Sequence, residues 1–388
     1  MITEIVPSPA RSVAKVGLGA AAAAAVLLPL VLAIQAGTYC GSWFADSLTG
    51  WGMWGIFVIY LATRPASYEA LAVLCLVAIS RTLHLAIVKH ACPDSTVINF
   101  GAYFPFFCLP LLGYRALRRP DNSRYRLAFH GALWFCYVGL FWVLCVSLAN
   151  AVRPYKLDYL LYAFDGSLGP RLNLMIAEIA ARSPALNTIL NLTYDSLGFF
   201  VAVLFAMYVR FENSRLDILK LNIANALIGF FIYFLYPALG PKYAFPSFPR
   251  LAGSVPFVPV LLQGRPNAMP SLHVATALLL FLLARPWKWL RLMTGALLLM
   301  MVLAIFSTGE HYEIDAVVAV PYSLLILAFA SVSRIRRYVL ITTSAMLVLW
   351  LLVLRFGAVN PWIMRGMVLT TIAEGIVIER RLRTVGVV

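Results

Sequence analysis

The feature that most constrains this chain is a succession of long apolar runs separated by short polar connections. A helix that spans a membrane needs about 20 mostly apolar residues. We therefore predict an all-α fold, a polytopic integral membrane helix bundle of about twelve spans. The first run also fits a cleavable signal peptide, but it is long enough to span, and we interpret it as a retained helix. The predicted spans are 14–34, 46–63, 69–88, 98–114, 127–149, 187–209, 219–236, 271–285, 290–307, 314–332, 338–356 and 362–378.

The scarcity of charge supports a lipid environment. Only 12% of the 388 residues are charged, and the mean hydropathy is +0.86, whereas a soluble domain carries about 25% charged residues. A net charge of +15 and a pI near 9.8 would suit a nucleic-acid-binding protein. The hydropathy excludes a soluble protein of that class, so we expect a membrane and no nucleic acid as the partner.

The basic residues form clusters in alternate connections, which predicts the orientation. Cytoplasmic loops carry an excess of Lys and Arg. With both termini cytoplasmic, in a plasma or inner membrane, all the clusters fall on the cytoplasmic side. The long polar segments 150–186 and 237–270 then lie on the non-cytoplasmic face, where we expect the active site. The clusters are 115–126, 210–220, 285–291, 334–337 and 380–383.

The cysteines do not indicate a metal site. The six cysteines show no CxxC spacing, which is the common metal-binding pattern. Cys40 and Cys92 both fall in polar connections on the predicted non-cytoplasmic side, where an oxidising compartment would allow a disulfide. Two unpaired thiols fit the sequence equally well.

Two of the five histidines stand in polar sequences that lead into apolar helices. The first follows Gly264-Arg265-Pro266-Asn267-Ala268-Met269-Pro270 and continues as Ser271-Leu272-His273. A helix N-terminus offers free N–H groups and a partial positive charge, which suit a phosphate. Ser271 and His273 are therefore predicted in the first turn of a helix, close to the membrane surface.

The second histidine returns to the same membrane face one span later, in Ser307-Thr308-Gly309-Glu310-His311-Tyr312-Glu313-Ile314-Asp315. On a helix, His311 and Asp315 are four residues apart and share one side. A carboxylate bonded to one ring nitrogen leaves the other free as a base or nucleophile. One histidine would attack phosphorus while the other protonates the leaving oxygen, a reaction that needs no metal and no cofactor.

These two motifs, Pro270–His273 and Thr308–Asp315, resemble the type-2 phosphatidic acid phosphatase superfamily. Asn267–Ala275 and the second motif look most like its inositol phosphorylceramide synthase and inositolphosphotransferase branch, as does Tyr162–Gly169. The resemblance covers about 155–330. It implies a six-helix-type lipid phosphatase or phosphotransferase core in the C-terminal half of the chain.

The resemblance also implies roles for particular residues. His311 would be the nucleophile that forms a phosphohistidine, oriented by Asp315, and His273 would be the acid and then the base. Ser271 would bind phosphate oxygens. Leu272 replaces the usual Gly of the motif, a change that the inositolphosphotransferase branch tolerates.

The superfamily's basic residues are only partly present. The Arg of its third motif is missing, because Thr308 follows Ser307, and its first motif is degenerate. Lys242, Arg250 and Arg265 are the candidates for holding the phosphate charge, with Lys242 and Arg265 preferred. Asp165, in the preceding polar segment, fits an outer vestibule or a plain surface position.

The expected function is metal-independent phosphoryl transfer from a lipid or lipid-linked phosphate. Water as acceptor gives a phosphatase, and an inositol, sugar or lipid hydroxyl gives a transferase. A catalytically silent scaffold or lipid translocator is the alternative, favoured by the missing Arg. The expected domains are N-terminal helices of unknown role (1–150), the catalytic core (151–335) and C-terminal helices with a basic tail (336–388). The oligomeric state is left open.

Overall fold

A computed structural model describes residues 47–87, 101–211, 217–250, 255–331, 336–357 and 360–384. The protein is mostly helical (79%), which confirms the all-α prediction. The first predicted span, Cys40 and Cys92 lie outside the described residues. The helices are α1 (Ser47–Ala62), α2 (Ser67–Ile87), α3 (Phe104–Arg118), α4 (Ser123–Val152), α5 (Asp158–Leu168), α6 (Leu172–Arg182), α7 (Pro184–Asp195), α8 (Leu197–Phe211), α9 (Ile218–Leu235), α10 (Pro241–Ala244), α11 (Leu272–Leu283), α12 (Lys288–Ser307), α13 (Glu313–Ala330), α14 (Arg336–Phe356) and α15 (Pro361–Thr384).

Six of the described helices are long and apolar enough to cross a membrane: α4, α9, α12, α13, α14 and α15. A seventh span results if α7 and α8, which meet at a bend of 44°, are taken together. These helices indicate a membrane protein. The predicted count of twelve spans is not confirmed, because α1, α3 and α11 are shorter than a full span requires, at 16, 15 and 12 residues.

The chain divides into two compact units. Among the described residues, the first comprises those up to 139 together with 205–211, and the second comprises 140–204 together with those from 217 onwards. In the first unit, α1 and α2 both pack against α3. Phe57 stacks on Phe104 with ring centroids 4.6 Å apart, and Arg115 pairs with Glu69 and donates to Thr63 Oγ1 at 2.7 Å. The predicted three-domain division stays a prediction.

Helix α13 is the centre of the second unit. Of its apolar 18-residue stretch, 72% is buried inside the protein, against 17–39% of the corresponding stretches in the other five long helices. It packs against α9, α11, α14 and α15, while α12 packs against α6, α7 and α11. The two histidine motifs occupy the N-terminal ends of α11 and α13, so the most buried helix supports the candidate site.

A short antiparallel ribbon joins the two long polar segments. Strand β1 (Tyr155–Lys156) pairs with β2 (Val260–Leu261). The Lys156 side chain is fully buried, and its Nζ donates to Asn150 Oδ1 at 3.0 Å and to the carbonyl of Arg153 at 2.5 Å. Asn150 Oδ1 also accepts the N–H of Gly264 at 3.3 Å. The ribbon therefore holds the loop before α11 against the end of α4.

Candidate active site

Ser271 and His273 lie at the start of α11. Ser271 is the N-cap residue, and its side chain accepts the N–H of Val274 at 3.3 Å. A serine at this position satisfies one of the N–H groups left free at a helix start. The N–H of Ser271 donates to the carbonyl of Asp315 at 3.1 Å. This bond joins the N-terminal ends of α11 and α13, so the two histidine motifs lie side by side.

His311 lies in the turn before α13 and not within the helix, which begins at Glu313. The expectation that His311 and Asp315 share one face of a helix is therefore wrong, although the two side chains are still neighbours. His311 Nδ1 is 2.8 Å from the carbonyl oxygen of Ala268 and 3.6 Å from Asp315 Oδ2. Asp315 Oδ2 instead accepts the N–H of Tyr312, the N-cap residue of α13, at 2.7 Å. The Ala268 carbonyl makes the orienting hydrogen bond that the sequence assigned to Asp315.

This contact determines which ring nitrogen of His311 carries the proton. A carbonyl only accepts hydrogen bonds, so Nδ1 must be the N–H donor, and the neutral ring then has its lone pair on Nε2. His311 is fully buried, and among the described residues no group forms a hydrogen bond with its Nε2. Nε2 is thus poised as a nucleophile or base.

His273 lies beside His311. The two ring centroids are 5.7 Å apart, and the rings meet edge to face at 64°. Within the described part of the chain, His273 Nδ1 is also buried without a hydrogen-bond partner. Tyr194, at the end of α7, stacks on His273 with a centroid distance of 3.9 Å. The tyrosine thereby fixes the plane of the second histidine.

The three candidate cations all have exposed side chains. Lys242, in α10, is joined to the histidine turn because its N–H donates to the carbonyl of Gly309 at 3.0 Å. Arg265 lies three residues before Ala268 in the loop that leads to α11. Arg250 belongs to a turn closed by its own N–H on Ser247 at 2.8 Å. Their role in binding phosphate stays a prediction.

Two glycines allow the α10 turn to approach the histidine turn. Gly240 has φ +104°, and a Cβ there would lie 2.2 Å from the carbonyl oxygen of Glu310. Gly309 has φ +70°, and a Cβ there would lie 2.6 Å from the Phe248 ring and 2.9 Å from Lys242 Cβ. A side chain at either glycine would separate Lys242 from the loop that carries His311.

Asp165 is a structural link and not a surface residue. It is fully buried, and its carboxylate accepts the N–H groups of Glu313 at 2.9 Å and Ile314 at 3.0 Å. A carboxylate at a helix N-terminus is stabilised by the helix dipole. In return, Glu313 Oε1 accepts the N–H of Asn173 at the start of α6, at 3.3 Å. Burial raises the pKa of the Asp165 carboxyl well above its ordinary value, and the nearby Glu313 carboxylate raises it further.

Asp158, which the sequence interpretation missed, is a second fully buried carboxylate in the same helix, α5. Its carboxylate accepts the N–H groups of Leu239 and Gly240 at 3.0 and 2.9 Å and the hydroxyl of Tyr312 at 2.9 Å. Burial raises the pKa of Asp158 to about 6, although these three donors lower it. The sequence signal that could have identified Asp158 is a carboxylate among the apolar residues at the start of α5.

Comparison with known proteins relates this part of the chain to one family. The family model described as the PAP2 superfamily matches residues 160–331, a range that contains both histidine motifs. No curated protein and no solved structure matches the chain. The match supports the predicted superfamily and indicates phosphatase or phosphotransferase chemistry, but it does not resolve the inositolphosphotransferase-like branch.

Proposed function

We propose that the chain transfers a phosphoryl group from a lipid or lipid-linked phosphate through a covalent phosphohistidine on His311. The observation that carries this proposal is the Nδ1–H bond of His311 to the Ala268 carbonyl, which leaves a buried Nε2 lone pair next to His273. The long apolar helices, which indicate a membrane protein, support a lipid substrate.

In the first step, Nε2 of His311 attacks phosphorus and forms a P–N bond. The bond from phosphorus to the leaving oxygen breaks, and that oxygen takes a proton from His273. The imidazole ring becomes positively charged, and the Asp315 carboxylate 3.6 Å from Nδ1 offsets that charge. The fixed orientation of the ring contributes to the rate because the nucleophile is held in place before the reaction.

In the second step, His273 removes a proton from the acceptor hydroxyl. The acceptor oxygen attacks phosphorus, the P–N bond breaks, and its electron pair returns to Nε2. Water as acceptor completes a phosphatase cycle, and an alcohol completes a transferase cycle. The resemblance to the inositolphosphotransferase branch slightly favours a transferase, whereas the general activity of the superfamily favours a hydrolase.

The phosphate charge needs donors and cations around the non-bridging oxygens. We assign these roles to Ser271 and the α11 N-terminus, and to Lys242 and Arg265. Helix N-termini bind phosphate through free N–H groups. Lys242 is supported by its backbone bond to Gly309, two residues before His311. The proposed site faces the non-cytoplasmic side, as the distribution of basic residues predicts.

The test is phosphate release by purified, detergent-solubilised protein supplied with a panel of lipid phosphates, with and without inositol. His311→Ala and His273→Ala should each abolish turnover, and His130→Ala, an exposed histidine in α4, should not. Free phosphate that depends on His311 identifies a phosphatase. A new lipid that depends on both His311 and an added alcohol identifies a transferase. Turnover that survives in His311→Ala would refute the proposal, and no turnover by the wild type would favour the silent scaffold.

A further inference from the structure

Asp158 lies at the junction of the segments that hold His311. Its carboxylate is fully buried and accepts three donors from two parts of the chain, the Leu239 and Gly240 amides and the Tyr312 hydroxyl. The residues in contact are 81, 82 and 154 positions away in sequence. A hydrogen bond to a charged acceptor is about twice as strong as a neutral one. Asp158 thus strongly connects two distant segments.

The first segment determines where the orienting carbonyl lies. Ala238, next to Leu239, accepts the N–H groups of Asn267 at 2.9 Å and Ala268 at 3.1 Å through its own carbonyl. The carbonyl of Ala268 then accepts Nδ1–H of His311 at 2.8 Å. Fixing the 238–240 segment on Asp158 therefore fixes the acceptor that selects the His311 tautomer.

The second segment determines where the imidazole ring lies. Tyr312 follows His311 directly, is fully buried, and donates its hydroxyl to Asp158. The same carboxylate oxygen, Oδ1, also accepts the N–H of Gly240. One atom of Asp158 is therefore shared between the carbonyl side and the imidazole side of the orienting hydrogen bond.

We propose that Asp158 is a positioning residue for the phosphoryl transfer. It holds the Ala268 carbonyl and the His311 ring in register, so that Nδ1 carries the proton and Nε2 faces the phosphate. It acts through Tyr312 and the 238–240 segment and does not touch the reacting atoms. The inference rests on the proposed function, because it concerns the rate of attack by His311.

The hydrogen-bond pattern explains why a carboxylate is needed there. Oδ1 accepts all three donors, and Oδ2 accepts the Leu239 N–H a second time, at 3.1 Å. An asparagine would direct its N–H₂ group at the Leu239 N–H or, with the amide flipped, at all three donors. A buried donor left without a partner is costly. We expect Asp158→Asn to loosen the 238–240 segment and shift the Ala268 carbonyl, and Tyr312→Phe to loosen only the imidazole side.

The experiment measures kcat and KM of the full-length protein per folded molecule, with the folded fraction taken from size-exclusion chromatography. We compare Asp158→Asn and Tyr312→Phe with two matched controls. Asp217→Asn removes an exposed carboxylate that caps α9 through the N–H of Lys220. Tyr322→Phe removes a buried hydroxyl that donates to the carbonyl of Asn225 in α9.

We expect both test variants to lose about 10- to 100-fold in kcat, because small misplacements of a reacting group have effects of that order. KM should change by less than about twofold, and both controls should keep wild-type kcat. A residue important only for folding would lower the yield of folded protein and leave kcat per folded molecule unchanged, which would overturn the inference. If Asp158→Asn does not fold, a wild-type kcat in Tyr312→Phe overturns it equally.

The two proposals fail in different ways. Wild-type turnover that depends on His311, together with unaffected Asp158 and Tyr312 variants, refutes only the positioning role. Wild-type turnover that does not depend on His311 refutes the proposed function and the positioning role with it.

Discussion

The close approach of Gly240 to the histidine turn gives a sharp prediction for Gly240→Ala. The added Cβ would lie 2.2 Å from the Glu310 carbonyl oxygen, and ordinary contact begins at 3.4 Å. The two backbone segments must therefore separate by about 1.2 Å, the difference between these distances. The Glu310 oxygen belongs to the backbone and the Cβ is fixed to the backbone of residue 240, so no flexible side chain can move aside to accommodate the methyl group.

The displacement should reach the proposed nucleophile. Glu310 directly precedes His311, whose Nδ1 is 2.8 Å from the Ala268 carbonyl oxygen. A shift of about 1 Å breaks such a hydrogen bond, and misplacing a catalytic group by 1 Å costs about 100-fold in rate. We expect kcat/KM for phosphate transfer by Gly240→Ala to fall about 100-fold relative to the wild type.

Gly169→Ala is the matched control because it separates steric displacement from backbone strain. Gly169 has φ +145° and ψ −139°, and a Cβ there meets no heavy atom within 4 Å. Gly240 has φ +104° and ψ +158°. Both conformations are essentially restricted to glycine, so each alanine costs about 1–3 kcal/mol of stability. Only Gly240→Ala adds the clash.

The assay is phosphate release per folded molecule, with the melting temperature of each variant measured in the same detergent. Both variants should melt below the wild type, and only Gly240→Ala should lose activity per folded molecule. Equal activity losses in the two variants would show that strain alone explains the effect. Wild-type activity in Gly240→Ala would refute the argument that this contact holds the histidine turn in place.

Three further predictions concern pH, metal and orientation. The pKa of Asp158 is about 6 in the folded protein against an ordinary 3.8, so the folded state holds a proton that the unfolded chain has already released between these values. The free energy of unfolding of the wild type, relative to Asp158→Asn, should therefore fall by about 3 kcal/mol in total as the pH rises from about 3 to about 7, with about 2 kcal/mol of the fall between pH 4 and 6. A melting series in which this difference rises with pH would contradict the assignment. EDTA should leave turnover unchanged, and a strict requirement for a divalent metal would contradict the histidine mechanism. A cysteine introduced at Phe257, which is 38% exposed, should react with an impermeant thiol reagent in intact cells, whereas labelling only after permeabilisation would invert the predicted topology.

The positions of the helices could be predicted because apolar runs are a local signal. Each predicted span within the described residues coincides with a helix or, for 187–209, with the bent pair α7 and α8. The lengths were less predictable. Helix α11 has 12 residues, fewer than the predicted span 271–285, because Ser271 caps its start and Pro286 follows shortly after its end. Apolar composition indicates that a segment is in lipid but not where its backbone stops being helical.

The candidate site was predictable only in part. His273 and His311 were found because both precede apolar runs on the same predicted side of the membrane. The Ala268 carbonyl was not found because a backbone oxygen has no sequence signature. Asp158 and Asp165 were missed or undervalued because their backbone and hydroxyl donors lie 81 to 154 residues away, and no local pattern reports contacts at that separation.

The long-range character of these contacts has a consequence for how the protein becomes active. The groups around His311 come from α5, the 238–240 segment, the loop before α11 and the N-terminal end of α13. Closing such long loops costs conformational entropy, and only the packing of the assembled helices compensates for that cost. A chain still being inserted into the membrane has no oriented histidine until α13 has entered the bundle. Under the proposed function, a partly synthesised chain therefore lacks the oriented histidine that phosphoryl transfer requires.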